Sequence, residues 1–447
     1  MTDIEAPSIA APFKLARVSR ARTIKRDRRP RWSEYLSQVA FVAALILTLS
    51  GPWMAGQVDP TLSELRQAGY LGIFLAALVS IRPWRHPQHL LVVPWPLLLA
   101  LGWCWLSLTW ALFPAAGLRR LVLSSIVLWS IFALVREIGH QRIILILRVL
   151  LAALLVLNYV AVLAFPDLGI DPDVYEGITD TWRGVMDQKN FVGFACAVTI
   201  LLFAFNVGFP LIQTREGRTM LGVRLLVIAA SGIFLVQSVS KTSLGIGIFA
   251  LVVGGLLTLA LRNRGEGELA PPGWAWLPFA VVTAVFLNMA FDPAIYLEMT
   301  SDPGGFTGRT QIWTGLIKAY ADQPLLGVGY GSLWDVGDDG PMKVYAKGFA
   351  AEVSQGHNGY LDLLVQVGAI GTLIILFAAM VWPIQRILRG GDPGVRVLSA
   401  ALLLFCLGHN FTESSLMDRD QLGQVFLIIA IALLWQTSAA APLRART

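Results

Sequence analysis

Apolar runs broken by short polar stretches repeat along almost the whole chain of 447 residues. A helix needs roughly 17–25 apolar residues to cross a bilayer, and about twelve runs are candidates. They centre near 36–54, 68–81, 90–112, 118–135, 143–165, 190–209, 220–237, 243–261, 273–291, 359–383, 397–408 and 422–437. The second and eleventh are short, as tilted or re-entrant pieces would be. Most connectors are brief, but two are long: 166–189 and 292–358. In the longer one, Ile312, Leu316 and Tyr320 recur at helical spacing and predict an amphipathic helix at the membrane interface, ended by Pro324. Gly327-Val-Gly-Tyr-Gly331 follows and reads as a turn. The pattern predicts an all-α polytopic membrane protein of about twelve helices. A tail, 1–35, precedes nine spans over 36–291. The large loop 292–358, three spans over 359–437 and a tail, 438–447, complete the chain.

Composition agrees: 55% of residues are hydrophobic, 14% are charged and mean hydropathy is +0.63, unlike a soluble domain. Charge adds orientation. Residues 1–35 hold nine basic residues, from Lys14 to Arg31, against four acids. The positive-inside rule keeps such a tail in the cytoplasm. Its composition predicts a disordered arm, and no cleavable signal peptide is expected in it, because it lacks an apolar core. Twelve crossings return Arg444 and Arg446 to the same side. Loops 82–89, 136–142, 213–219, 262–268 and 384–396 also fall there, each with at least two Arg, whereas acids gather in the opposite loops. Anionic lipid headgroups account for the net charge of +6, so no nucleic-acid partner is expected.

Cys104, Cys196 and Cys406 all fall within apolar runs at spacings that suit neither a disulfide framework nor a zinc site. There is no phosphate-binding Gly-x-x-x-x-Gly-Lys-Ser/Thr loop and no Gly-x-Gly-x-x-Gly opening a helix after a strand. No metal or cofactor is expected.

Candidate chemistry concentrates where the large loop re-enters the membrane, in Glu352-Val-Ser-Gln-Gly-His-Asn-Gly-Tyr360. His357 changes charge nearest neutral pH and is flanked by Asn358, Tyr360 and Glu352, which are expected to contact substrate beside it. Titratable groups at a membrane boundary point to function; the competing reading makes His357 a cap of the tenth helix. Three cations stand on the same side: Arg309 before the amphipathic helix, Lys241 in the polar island Ser238–Ser243, and Arg183 in Trp182-Arg-Gly-Val-Met-Asp-Gln-Lys-Asn190. Each could simply snorkel to headgroups, but together they suit a diphosphate, which takes positive charge and several donors. His409 and Asn410, before Thr412-Glu-Ser-Ser415, read more simply as a helix-ending turn.

These residues carry a resemblance. Gly308-Arg309, Ile312-Trp313, Pro324 to Gly331, His357-Asn-Gly-Tyr-Leu-Asp and Gly368, in that order, resemble the O-antigen ligase and polysaccharide-polymerase superfamily, with His-Asn-Gly-Tyr most like exopolysaccharide polymerases. The resemblance is strongest over about 180–375. It implies a bacterial inner-membrane glycosyltransferase with its large loop and active site in the periplasm. Such enzymes move a glycan from an undecaprenyl-diphosphate carrier without metal or nucleotide sugar. It implies catalytic roles for His357 and Arg309. It implies substrate contacts for Lys241, Arg183 and Asn190, and flippase and chain-length-regulating proteins as partners. Lys241 stands where the family has arginine, which keeps the charge but loses the two-pronged fork. A polymerase extends another carrier-linked repeat, whereas a ligase charges lipid A core. A lipid-linked-glycan flippase or secondary transporter is the rival from another class, although charges are scarce within the spans: Asp362, Arg148 and Arg224 are the main ones.

Overall fold

The computed structural model describes residues 31–55, 60–171, 180–205, 214–262 and 308–439, with a few single positions between 263 and 307. Most of the basic arm, most of the ninth span (273–291), the loop before Gly308 and most of the C-terminal tail lie outside the described residues.

The remaining eleven apolar runs are all helices. They are α1 Arg31–Ala55, α2 Pro60–Ile81, α3 Trp95–Ser107, α4 Pro114–Ile138, α5 His140–Ala164, α6 Lys189–Ala204, α7 Arg215–Gln237 and α8 Lys241–Arg262. Beyond residue 307 come α9 Arg309–Asp322, the short α10 Pro341–Tyr345 and α11 Gly359–Leu376. Helix α11 continues through a π-turn, Phe377–Val381, into α12 Trp382–Arg389; α13 Pro393–His409 and α14 Leu422–Ala439 close the chain. Among the described residues, seven helical segments are long and apolar enough to cross a membrane, and α3, α6, α13 and α14 are shorter apolar helices. The protein is an all-α polytopic membrane protein; among the described residues its only sheet is a two-residue ladder, Ile170–Asp171 with Thr181–Trp182. Two boundaries differ from the hydropathy reading. The second helix starts at Pro60 rather than 68, because Glu64 and Arg66 are carried on its first turns. The third is shortened to 95–107 by prolines at its start and a turn before Pro114.

A helix apolar on every side is buried, and α6 and α13 follow that rule, with nearly every residue from Val192 to Phe203 and from Val395 to His409 enclosed. With α14 they form the centre, and α8 and α4 pack against them. Helices α5 and α7 present Leu145, Val156, Leu163, Leu226 and Ile233 outward, as a lipid-facing surface requires. The membrane arginines stabilise rather than line a path. Arg148 donates to the carbonyls of Leu202 (2.9 Å) and Phe205 (3.1 Å), and Arg224 to those of Phe203 and Ala204 (both 3.0 Å), so they cap the C-terminus of α6.

The large loop is stitched into a broken helix. Gly368 inside α11 has φ +67°, which interrupts the helical hydrogen bonds. Loop backbone replaces them: Val328 N–H donates to Val365 O (2.8 Å), Gly329 N–H to Gln366 O (2.9 Å), and Ala369 N–H to Pro324 O (2.8 Å). Broken backbone at membrane depth survives only when protein satisfies it in this way. The glycine-rich turn is thus a plug, and Gly368 fits because a Cβ there would collide with Leu325 O. The amphipathic helix is α9, as its spacing predicts. Its apolar face differs from expectation: Ile312, Trp313 and Leu316 are buried against Leu361, Leu364 and Val365 of α11, not against lipid.

Candidate active site

Four helix N-termini, those of α6, α8, α9 and α11, meet the turn 410–421 between α13 and α14. At the centre is Glu413, to which the sequence reading gave no role. Its Oε1 accepts from Asn190 Nδ2 (2.8 Å) and Arg309 Nη2 (3.0 Å), and its Oε2 pairs with His357 Nδ1 (3.2 Å). Arg309 Nη1 also donates to Thr412 O. These side chains are mostly buried yet reachable, with relative exposures of 13% for Glu413, 17% for Arg309 and 22% for His357.

The local sequence explains the convergence. Asn358 Oδ1 caps α11 by accepting from Tyr360 N–H (3.1 Å) and Leu361 N–H (3.2 Å). His357, one residue earlier, is held at φ +48°, a conformation that costs a non-glycine residue energy and that recurs at functional sites. Gly359 N–H reaches Asn410 O (2.9 Å) and Glu413 O (3.1 Å), and Ser414 Oγ accepts from Asn358 N–H (3.1 Å). The histidine loop and the acidic turn are therefore locked together through backbone.

Burial pushes the Glu413 carboxyl up. The His357 hydrogen bond and the Arg309 charge oppose it and prevail, holding the group below its ordinary range. A charged Glu413 fixes Nδ1 of His357 as the protonated nitrogen, which leaves Nε2 as the acceptor.

The other candidates are spread around this hub. Asn190 also accepts from Ser240 Oγ at 3.3 Å; Ser240 bonds Ser243 (2.9 Å), and Ser243 bonds His409 Nε2 (3.1 Å). Thr242 accepts from Thr412 at 2.7 Å, so exposed Lys241 stands within this hydroxyl belt. Arg183 lies farther out: its Nε donates to Leu168 O (3.2 Å) and its backbone N–H to Gly169 O (2.9 Å), tying it to the small ladder. Two candidates are not brought to the hub. Tyr360 is in the core, its hydroxyl bonded to Leu407 O at 2.7 Å. Glu352 is exposed and pairs with Lys343 at 2.5 Å. His409, read as part of a turn, is buried beside Phe194, with ring centres 5.1 Å apart. A narrow cleft runs along the hub, lined by Asn190, Phe194, Gln355, His409, Glu413 and Gln421 among others.

Residues 225–376 match a family model described as O-antigen ligase. Over 261 residues the chain is 26% identical to "Exopolysaccharide production protein ExoQ" of Rhizobium meliloti (strain 1021), covering 56% of this chain and 57% of that relative. Over these stretches the chain is similar to the O-antigen ligase/polymerase-like superfamily. The matched segment carries Lys241, Arg309, His357 and Gly368, whereas Asn190 and Glu413 lie on either side of it. The family model covers about a third of the chain, and the chain spans little more than half the length of that relative.

Proposed function

We propose that the protein is a membrane glycosyltransferase that polymerises undecaprenyl-diphosphate-linked oligosaccharide repeats into exopolysaccharide or O-antigen on the periplasmic face of the bacterial inner membrane. The observation that carries this reading is the His357–Glu413 pair, with Arg309 and Asn190 on the same carboxylate. A sugar hydroxyl is a poor nucleophile, and a histidine oriented by a carboxylate is the group that can take its proton. In the transfer, the acceptor oxygen forms a bond to the anomeric carbon as the bond from that carbon to the lipid diphosphate breaks. The hydroxyl proton goes to His357 Nε2 and the electron pair leaves with the diphosphate. Direct displacement inverts the anomeric centre.

The leaving diphosphate concentrates negative charge, and preorganised positive groups stabilise it. Four converging helix N-termini supply partial positive charge, and Lys241 and Arg183 are further cations around them. Arg309, already engaged by Glu413 and Thr412, sets the position of the acid–base pair and adds charge to the site. The positive-inside distribution supports a cytoplasmic N-terminus, with this end of the bundle in the periplasm.

Ligation of the glycan to lipid A core is the second reading, favoured by the description of the matching family model. Glycan mass spectrometry in a deletion strain separates the two. Single carrier-linked repeats are the result expected of a lost polymerase, and long carrier-linked chains would mean a ligase. A flippase or secondary transporter is disfavoured by Arg148 and Arg224, which cap α6.

A further inference from the structure

Asn410 closes α13 and takes no part in the transfer described above, yet both polar atoms of its buried side chain are engaged. Oδ1 accepts from Ser415 N–H (2.8 Å) and Leu416 N–H (3.0 Å), and Nδ2 donates to Cys406 O (2.8 Å) and Ser415 Oγ (2.9 Å). An amide can fill both roles, whereas a carboxylate accepts but cannot donate. Ending a helix needs no such set of bonds; fixing the shape of the turn after it does.

That turn presents three consecutive residues to the hub. Thr412 O and the Glu413 carboxylate take Arg309, Glu413 also takes His357 and Asn190, and Ser414 Oγ takes Asn358 N–H. Asn410 spans them from behind, anchored back on α13 at Cys406 and ahead at Ser415 and Leu416. Its own carbonyl accepts from Gly359 N–H (2.9 Å), at the start of α11 just after His357 and Asn358. One residue thus fixes Glu413 from within the turn and the histidine loop from outside it.

The neighbouring helices give way to this clamp. A Cβ on Gly359 would strike Asn410 Oδ1, and a Cβ on Gly423, in α14, would strike Ser415 Oγ. The glycine of His-Asn-Gly-Tyr therefore leaves the room that the amide fills. None of the side-chain bonds of Asn410 goes to a reacting group. We propose that Asn410 is a positioning residue, which holds Glu413 against His357 so that the histidine presents Nε2 to the acceptor hydroxyl. The inference rests on the glycosyltransferase reading and adds what keeps its acid–base pair in register.

Misplacing a catalytic group by about 1 Å costs on the order of a hundredfold. Purified full-length Asn410→Ala in detergent, at normal protein levels, is expected to lose about tenfold to a hundredfold in kcat for ladder formation, with the KM of either glycan changed less than about threefold. Asn410→Asp keeps the size and the accepted bonds and loses the donated ones. It should lose at least about tenfold, and it remains informative if N410A fails to give a monodisperse protein. In the Glu413→Gln background, Asn410→Ala should cost less than about threefold more, because the group it positions is already gone. A merely structural asparagine would cost the same factor in both backgrounds. Equal losses there, or a folded variant whose kcat lies within about threefold of wild type, would overturn the proposal.

A second readout needs no turnover. In 15N-histidine NMR, the Nδ1–H signal that His357→Ala removes should shift or vanish in both Asn410 variants, as in Glu413→Gln. An unchanged signal would overturn the clamp even if wild type made no polymer. A changed signal beside an inactive wild type would instead sink the enzyme reading alone.

Discussion

Replacing Glu413 by glutamine keeps the shape of the hub and removes its charge. The carboxylate holds Asn190 at 2.8 Å, Arg309 at 3.0 Å and His357 at 3.2 Å. Stripping the counter-ion from a fully buried cation costs about 3–5 kcal/mol. Arg309 is 17% exposed and keeps the Thr412 carbonyl, so about 2–3 kcal/mol of stability should be lost after solvent screening. The catalytic loss is larger. A glutamine can donate to Nδ1, which moves the proton of His357 to Nε2 and removes the base. A positioned base contributes on the order of 10²–10⁴-fold, so the rate of polymer-ladder formation by purified Glu413→Gln should fall at least a hundredfold at normal protein levels. A rate within threefold of wild type, with His357→Ala inactive, would refute the coupling. Acid provides a second readout. The folded carboxyl lies below its ordinary value of 4.5, so its contribution is present above that value and lost as pH falls through the folded one. Wild type should therefore lose melting temperature below about pH 4.5 more steeply than Glu413→Gln.

Three further outcomes follow from the packing. Gly368→Ala should destabilise by at least about 2 kcal/mol in thermal unfolding, from a positive φ and a Cβ against Leu325 O. Gly245→Ala, with nothing within 4 Å, should not; equal effects would dismiss the plug. Tyr360→Phe removes one buried hydrogen bond, to Leu407 O, and should cost about 1 kcal/mol of stability while activity stays within a few-fold. A hundredfold loss would return Tyr360 to the substrate. Glu352→Gln breaks an exposed pair with Lys343, worth under about 1 kcal/mol, and both stability and ladder formation should match wild type.

The spans were legible because lipid imposes length and apolarity locally, and eleven runs become helices. The α9 helix was legible from Ile312 and Leu316, but its burial was not, since spacing reports an apolar face without naming its cover. The plug was read only as a turn: nothing local says that Gly327 to Gly331 will mend a break at Gly368. His357, Arg309 and Asn190 were singled out from chemistry and resemblance, and the structure brings all three to one carboxylate. Glu413 was missed because it lies 56 residues from His357 and 104 from Arg309, in a turn that looked like helix punctuation. Its signal was an acid among hydroxyls directly after His409-Asn410, between two fully apolar helices. Glu352 and Tyr360 were drawn in by adjacency to His357, but α11 turns Tyr360 into the core, and Glu352 sits with Lys343.

The central claim is that the His357–Glu413 pair drives transfer from a lipid diphosphate. Its most direct test supplies purified protein in detergent with synthetic undecaprenyl-diphosphate oligosaccharide, without added metal or nucleotide, beside a His357→Ala control. A ladder of products from wild type that disappears in the variant is the expected result. Transfer only on addition of lipid A core would replace polymerase with ligase. An unchanged ladder from His357→Ala, or no product from wild type with native lipid-linked repeats supplied, would contradict the account.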